Sequence, residues 1–540
     1  MNLGIDFGST YSMLSHYDRK SDTIRAVQTQ NGSNYIPSLA CCDYSDELIT
    51  GQQAKDFIAG EPDAVVYRAF KMLLTESELS RLEQMNYTQD CPPRRIAKAF
   101  LKQQLLNATT RCRTDRFEQV VICVPQVWNT NSEAMRGKAV LQEICMELKE
   151  ELELLDRVTV VTEPTAASAY YAYLHRKKNN EPFNDRMLIV DYGGGTLDIS
   201  LTKVTTVVRE DGTAAMEIRV EGETGAGENH GEQVGDGGLA YLDGTVRLAL
   251  KEAGFDSVPY NGSFIKAVNL FESVLINKTA EIRSKVQLDC ANDVSRLEYD
   301  DEVLTTLFYR GKKVPVTYSV LYRAYEQIIR PVLTEQLEKV RTEYLEPLGV
   351  DPRLAARQLK LALVGGFGQF ELVRQQVYDF FHLVRQLEDG GREDAICYGA
   401  ALIADGVVTL RRCAGASVGL VTRLFEEKNS EFAITRGMEL ENEKVYCLPE
   451  PIVYGGPCPG DWELAIGKGK DRVDTVLPPR AVRDRLNEIE PMKLYTFGFS
   501  VDGEENYSLH AIPTDPDGTR HPENAHVVQL GTLAELRTNS

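Results

Sequence analysis

The sequence predicts a mixed α/β body followed by a small antiparallel β domain, and three observations carry that reading. The stretch from Met187 to Asp198, MLIVDYGGGTLD, reads as a buried strand, a tight glycine turn and a second strand. The chain opens on a second copy of this pattern, NLGIDFGSTYS: a short apolar strand, an aspartate, an aromatic, a glycine and small hydroxyl residues. From about Gly406 helical periodicity gives way to short alternating segments between Gly and Pro turns: ASVGLVTRLF, FAITRGMEL, WELAIGKG, LYTFGFSVDG and NYSLHAIP. Residues 1–404 are therefore expected to form the α/β body and residues 405–540 the β-rich domain.

The two glycine turns set the chemistry. Gly193, Gly194 and Gly195 can adopt backbone angles closed to other residues and turn main-chain N–H groups toward a phosphate. Asp191 and Asp198 flank that cradle, and two partly buried carboxylates are costly unless a cation joins them; Mg²⁺ accepts one or two protein carboxylates and keeps its waters. An ordinary Gly-rich hairpin is the simpler reading of this segment alone. The second copy, with Asp6, Gly8, Ser9 and Thr10, suggests two related halves closing on one nucleotide.

Composition narrows the class. At 540 residues the chain is long enough for three or four units, with an ordinary globular balance of 43% hydrophobic and 26% charged residues. A net charge of -20 argues against nucleic acid and against an anionic membrane surface as partners. No apolar run is long enough for a membrane span, and a strand starting at Asn2 leaves no room for a signal peptide. Eleven cysteines without a C-x-x-C pair, several in apolar runs such as VVICVP, fit a reducing cytoplasm.

Taken in order, residues 1–60 alternate strands and turns, with Asn31-Gly32 as a turn signal. AVVYRAFKMLL is a short strand or helix carrying Lys71; Pro92 to Thr109 is helical; RFEQVVICVPQVW is a buried strand stopped by Pro125; a long amphipathic helix runs from Ser132 to Leu155. In DRVTVVTEPTAASAYYAYL a strand leads into a helix. Pro164 suits its first turn, and Ala166, Ala167, Ser168 and Ala169 allow a second helix to approach closely. After the central hairpin come strands over 198–221, a glycine-rich loop over 222–238, a helix from Ser263 to Val286, and a helical stretch from Ser319 to Leu345 interrupted at Pro331. KLALVGGFGQF is a strand ending in glycines, CYGAALIADG the last helix of the body, and the tail after Pro513 loop or disorder.

With these pieces in place the chain resembles the seventy-kilodalton heat-shock protein (DnaK-like) family. The segments are DFGSTYS at 6–12, IPS at 36–38, VICVP at 121–125, EPTAASAYY at 163–171, DYGGGTLDIS at 191–200 and YGAA at 398–401. The resemblance implies an actin-like two-lobed ATPase domain, a duplicated ribonuclease-H-like fold, that binds ATP or ADP with Mg²⁺. It implies Asp6 and Asp191 at the metal. It implies Gly8, Ser9, Thr10 and Tyr11 at the phosphates from one side and Gly193, Gly194 and Gly195 from the other. Catalytic roles fall to Lys71, Glu163, Thr196 and Asp198; Gly237, Gly238, Lys285, Gly365 and Gly366 would contact the nucleotide. The simpler alternatives are a solvated lysine at 71, a helix-start charge at 163, a turn cap at 196, packing roles for Tyr170, Tyr171 and Tyr173, and a solvated His230.

The implied activity is a slow chaperone ATPase acting on an unfolded polypeptide or protein client, with a J-domain co-chaperone and a nucleotide exchange factor as possible partners. A nucleotide-sensing scaffold with little hydrolysis and a small-molecule kinase of the same fold are the alternatives. The chain departs from the family pattern at Leu239-Ala240, where an acidic pair is usual, and in AEIRSKVQL, where Lys285 fits but Glu281 is out of step. It departs again in the linker VVTLRRCAG, with Arg411 and Arg412 in place of carboxylates, and it shows no helical lid after the β segments.

Overall fold

The fold comes from a computed structural model. It describes residues 1–540 except 62–63, 131–133, 209–213, 231–232, 261, 290–292, 383–392, 415, 425–426, 442, 456–461, 468–472, 503–505, 534–535 and 537–540. The chain divides into two compact units, Met1–Thr409 and Leu410–Ser540. The crossing lies within the strand Val408–Cys413. No helix among the described residues is long and apolar enough to cross a membrane.

The first unit is built on strands β1 (Asn2–Asp6), β2 (Tyr11–Asp18), β3 (Thr23–Ala26), β4 (Gln119–Val124), β5 (Val158–Thr162), β6 (Asp185–Tyr192), β7 (Leu197–Val208), β8 (Ala214–Ala226) and β9 (Lys360–Val364). Its central helices are α1 (Glu163–Asn179), α2 (Gly238–Glu252) and α3 (Ala395–Ala404). Two sheets repeat one pairing pattern. In the first, β1 pairs antiparallel with β2 and parallel with β4, and β2 continues to β3. In the second, β6 pairs antiparallel with β7 and parallel with β9, and β7 continues to β8. Asp6 ends β1 and Asp191 lies one residue from the end of β6, so each sheet delivers an aspartate at the same point of its first hairpin.

Two helices tie the sheets together, and their small residues explain how. On α3, a Cβ added at Gly399 would fall 1.6 Å from the Ala166 carbonyl oxygen of α1, so the two helices touch backbone to backbone. A Cβ added at Gly4 would likewise meet the Ala401 nitrogen at 2.3 Å, which seats α3 directly on β1. The Ser15 hydroxyl donates to the Cys397 carbonyl at 2.9 Å, and Ser168 of α1 meets Thr202 of β7 at 2.9 Å. Tyr170, Tyr171 and Tyr173 are buried; the Tyr170 ring meets Tyr398 edge-on at 5.4 Å, a packing role.

Several expected boundaries move. β8 runs to Ala226, so the glycine-rich loop begins five residues later than its composition suggests, because Gly222 and Gly225 are paired with Leu201 and Asp198 of β7. The stretch from Tyr318 to Leu345 is helical throughout: π turns at Tyr325–Ile329 and Val340–Leu345 absorb what the sequence reads as a break, and Pro331 sits in the first turn of Arg330–Lys339. The start of the helix expected from Ser132 lies outside the described residues; its described part is Met135–Leu152.

In the second unit, strands Glu427–Ile434, Ser417–Leu424, Leu464–Gly467 and Val473–Val476 pair in that order. A further sheet pairs Lys493–Val501 with Tyr507–Pro513 and Tyr507–Pro513 with His526–Gly531. The tail is thus not loop to its end: Val528 and Leu530 alternate into a core with Leu509 and Phe499. A helix at Arg480–Leu486 buries Leu486 in the same core and has no counterpart in the sequence reading. Arg411 forms an ion pair with Glu439, at 3.0 Å.

Candidate functional site

The ends of the two hairpins meet. A Cβ on Gly194 would lie 2.2 Å from the Thr10 hydroxyl oxygen, and one on Gly195 would lie 2.6 Å from the Ser9 hydroxyl oxygen and 2.4 Å from the Met72 sulfur. Glycine is required at both positions because the loops from the two sheets are in direct contact. The Gly193 N–H donates to the Thr196 carbonyl at 3.0 Å and closes the turn. The first loop is held by Ser38 of the IPS segment, whose N–H donates to the Thr10 carbonyl at 2.8 Å and whose hydroxyl donates to the Gly8 carbonyl at 2.7 Å. Gly8 itself lies under the Tyr11 carbonyl.

Beside the loops lies a buried carboxylate cluster. Asp191 and Asp198 are cross-strand partners in the β6–β7 pair. With Glu163, the first residue of α1, they bring a carboxylate oxygen each within 4.8 Å of one another. Both Asp191 oxygens are buried and accept no hydrogen bond among the described residues. Asp198 is fully satisfied on the protein side: Thr196 Oγ1 donates to Oδ2 at 2.6 Å and the Val127 N–H to Oδ1 at 3.0 Å. The cation present is Lys71, 2% exposed, whose Nζ pairs with Glu163 Oε1. Lys71 is therefore no surface lysine, and Glu163 is more than a helix-start charge.

The electrostatics follow from burial. Desolvation and then Glu163 push the Asp6 carboxyl up to about 7, with Lys71 acting in the opposite direction. Asp198 is pushed up to about 7 by burial and Glu163, against the hydrogen bonds of Thr196 and Val127. Asp191 rises well above the carboxylate range through burial, then Glu163, Asp198 and Asp6. Burial alone lowers the Lys71 ammonium, but Glu163 and Asp6 more than offset it and the net shift is upward. Four carboxylates thus face one lysine, and an oxygen-liganded divalent cation fits this donor set.

The remaining residues singled out by the sequence fall into two groups. Gly365 has φ +82 and packs on Asp191, where a Cβ would come within 2.5 Å of Oδ1; Gly366, next in sequence, has open space around its Cα. Gly237 and Gly238 support the loop from behind: the Gly238 and Leu239 N–H groups donate to the Gly193 and Gly194 carbonyls at 3.1 and 2.7 Å. Lys285 instead pairs with Asp300 at 2.9 Å and Glu302 at 2.6 Å, over the Tyr318 ring. His230 is exposed, 3.7 Å from Asp236.

Sequence reasoning missed Ser38 as a loop clamp, Val127 and Asn229. The Asn229 amide donates to the Met72 carbonyl at 3.4 Å and to Thr75 Oγ1 at 3.2 Å, while its carbonyl accepts from the Gly235 N–H at 3.1 Å. Only Ser38, inside a quoted motif, left a signal that could have found it.

A mixed α/β body that joins two glycine hairpins over a buried carboxylate centre defines the class. The family profile described as Hsp70 protein matches residues 2–223. Chaperone protein DnaK of Thermotoga maritima is 21% identical over 523 residues, 96% of this chain and 74% of that protein. Chaperone protein DnaK of Carsonella ruddii is 22% identical over 434 residues, 75% of this chain and 64% of that protein. Chaperone protein DnaK of Metamycoplasma hominis is 28% identical over 229 residues, 42% of this chain and 32% of that protein. The chain is thus similar to Hsp70 proteins over residues 2–223 and, at low identity, to DnaK chaperones over most of its length.

Proposed function

We propose that the first unit is an actin-like ATPase body, each sheet one ribonuclease-H-like half, and that it binds ATP with Mg²⁺ between the two glycine hairpins and hydrolyses it slowly. The observation that carries this reading is the buried, unpartnered Asp191 carboxylate opposite Asp198, beside two touching phosphate-type loops. Asp191 and Asp6 would hold the cation, with Glu163 accepting hydrogen bonds from its waters. The cation would neutralise phosphate charge and orient the phosphate oxygens.

The chain's own residues supply the rest. Main-chain N–H groups of Gly8, Ser9 and Thr10 from one sheet, and of Gly193 to Gly195 from the other, receive the β- and γ-phosphates. Lys71, fixed by Glu163, stabilises the charge that develops on the transferred phosphoryl group and aligns water. Thr196 presents its hydroxyl to the same region while donating to Asp198. Asp198, held on two sides, accepts a hydrogen bond from the attacking water and keeps it in line.

In this reading the second unit binds an unfolded polypeptide or protein partner, and nucleotide state in the first unit controls that binding, with a J-domain protein and an exchange factor as partners of the cycle. The family's activity as ATP-driven chaperones supports it. Lys285 is not assigned to the adenosine, because its ammonium is engaged by Asp300 and Glu302. The test is single-turnover hydrolysis of ATP with Mg²⁺, with and without an unfolded polypeptide, against Asp198→Ala. Hydrolysis that the variant abolishes supports the ATPase, and acceleration by polypeptide supports chaperone coupling. Binding without hydrolysis above the variant would replace it with the nucleotide-sensing reading.

A further inference from the structure

A nucleotide whose phosphates lie on the two glycine hairpins has two ways to carry its nucleoside out of the site. Ligands of parallel strands bind beyond the carboxyl ends, and each sheet has one parallel pair there, β1 with β4 and β6 with β9. The exit of β4 is closed: Val124, Gln126, Val127 and Trp128 are each 2% exposed or less. The exit of β9 is open. Val364 is the Cα partner of Asp191, Gly365 packs on the Asp191 carboxylate, and Gly366 is exposed, with open space among the described residues where a side chain would stand.

The next residue at this opening is Phe367, which is half-buried. Its ring lies against Gly238, where an added Cβ would come within 3.2 Å of the ring. It meets Tyr192 edge-on at 5.1 Å and lies nearly parallel to Phe370 at 5.6 Å. The ring is thus held from three sides. The long polar side chains of the neighbouring segments are engaged within the protein. Lys285 pairs with Asp300 and Glu302. Arg283 and Gln287 both donate to the Glu371 carboxylate, at 3.1 and 2.7 Å, and the Gln369 amide donates to the Leu363 carbonyl at 3.4 Å.

We propose that the nucleoside base lies on Phe367, and that the site takes purine and pyrimidine nucleotides with little discrimination among bases. The proposal rests on the nucleotide reading given above. Stacking needs only a π face, which every base has. A site that discriminates strongly presents hydrogen-bonding groups to the base edge, and apolar contact alone separates ligands weakly. Affinity then comes from the cation at Asp191 and from the main-chain N–H groups of the two hairpins, which meet the same phosphates on every nucleotide. Phe367 adds the hold on the base and takes no part in bond breaking.

The test uses the full chain. Titration calorimetry with Mg²⁺ measures ADP, GDP, CDP, UDP and inorganic pyrophosphate on the parent, Phe367→Ala and Phe367→Tyr. On the parent the four nucleotides should agree within about tenfold. Phe367→Ala should lower the ratio of ADP affinity to pyrophosphate affinity about tenfold or more, and Phe367→Tyr, which keeps the ring, should hold it. Pyrophosphate carries no base, so a variant that merely loosened the fold would weaken both ligands and leave the ratio as it is in the parent. That unchanged ratio in Phe367→Ala would overturn the proposal. So would a parent that prefers one base by more than about tenfold, a result that leaves the nucleotide reading standing. A parent that binds none of the four nucleotides would sink the nucleotide reading and this inference with it.

Discussion

Asp191 and Asp198 stand directly opposite each other on β6 and β7, two carboxylates in a single cross-strand pair. Like charges facing across an antiparallel pair are destabilising, and here the pair is also buried. A sheet tolerates this when something positive is to be held between the strands. In the proposed reading a cation bound between the strands offsets this cost, which the free protein bears.

Asp191→Asn keeps the shape and removes the charge. It should weaken binding of ADP with Mg²⁺ by tenfold or more, about 1.4 kcal/mol, because the buried oxygens would meet the cation as a neutral amide. Titration calorimetry with and without EDTA checks this. Equal affinity for parent and variant would show that Asp191 does not face the cation.

The raised carboxyls give stability a pH dependence with a definite sign. Asp6 and Asp198 titrate near 7 in the folded protein but near 3.8 when unfolded. Between those values the folded state binds protons that the unfolded state does not, so their contribution is present at the acid end and is lost as pH rises through about 7. Thermal melts in EDTA from pH 5 to pH 8 should fall more steeply with pH for the parent than for Asp198→Asn, a tenfold difference in proton affinity being worth about 1.4 kcal/mol. A parallel or shallower parent curve would contradict it.

Two glycines in the site separate tight contact from free space. Gly194→Ala drives a methyl group to 2.2 Å from Thr10 Oγ1, whereas Gly366→Ala meets nothing within 4 Å. The first change should cost about 1–3 kcal/mol and weaken nucleotide binding, while the second should leave stability close to the parent. Urea denaturation and ADP titration on both variants test the contrast.

At Gly399 the obstacle is backbone. A methyl group there meets the Ala166 carbonyl at 1.6 Å, which no rotamer change can relieve. Gly399→Ala should therefore force α1 and α3 apart, with a stability loss at or above about 3 kcal/mol. A melting temperature equal to the parent's would mean that the helices do not pack as closely as described.

What was legible in the sequence was local. Strand β6, its glycine turn and Asp198 announce themselves in twelve consecutive residues, and the small residues of α1 foretell a close helix neighbour. Contacts across long chain separations left no such trace: Lys71 finds Glu163 and Asp198 finds the Val127 N–H only through the meeting of sheets. Pro331 misled because it falls in the first turn of Arg330–Lys339, directly after the π turn Tyr325–Ile329, where its missing N–H does not end the helix. Strand His526–Gly531 was hidden by the polar turn before it, and Lys285 by carboxylates 15 and 17 residues further on, at Asp300 and Glu302.

The most direct measurement is single-turnover ATP hydrolysis on the purified full chain with Mg²⁺, beside Lys71→Met and Asp198→Ala. The account predicts slow hydrolysis in the parent, lowered at least about a hundredfold in each variant, with ATP still bound. A parent that hydrolyses no faster than either variant would contradict it.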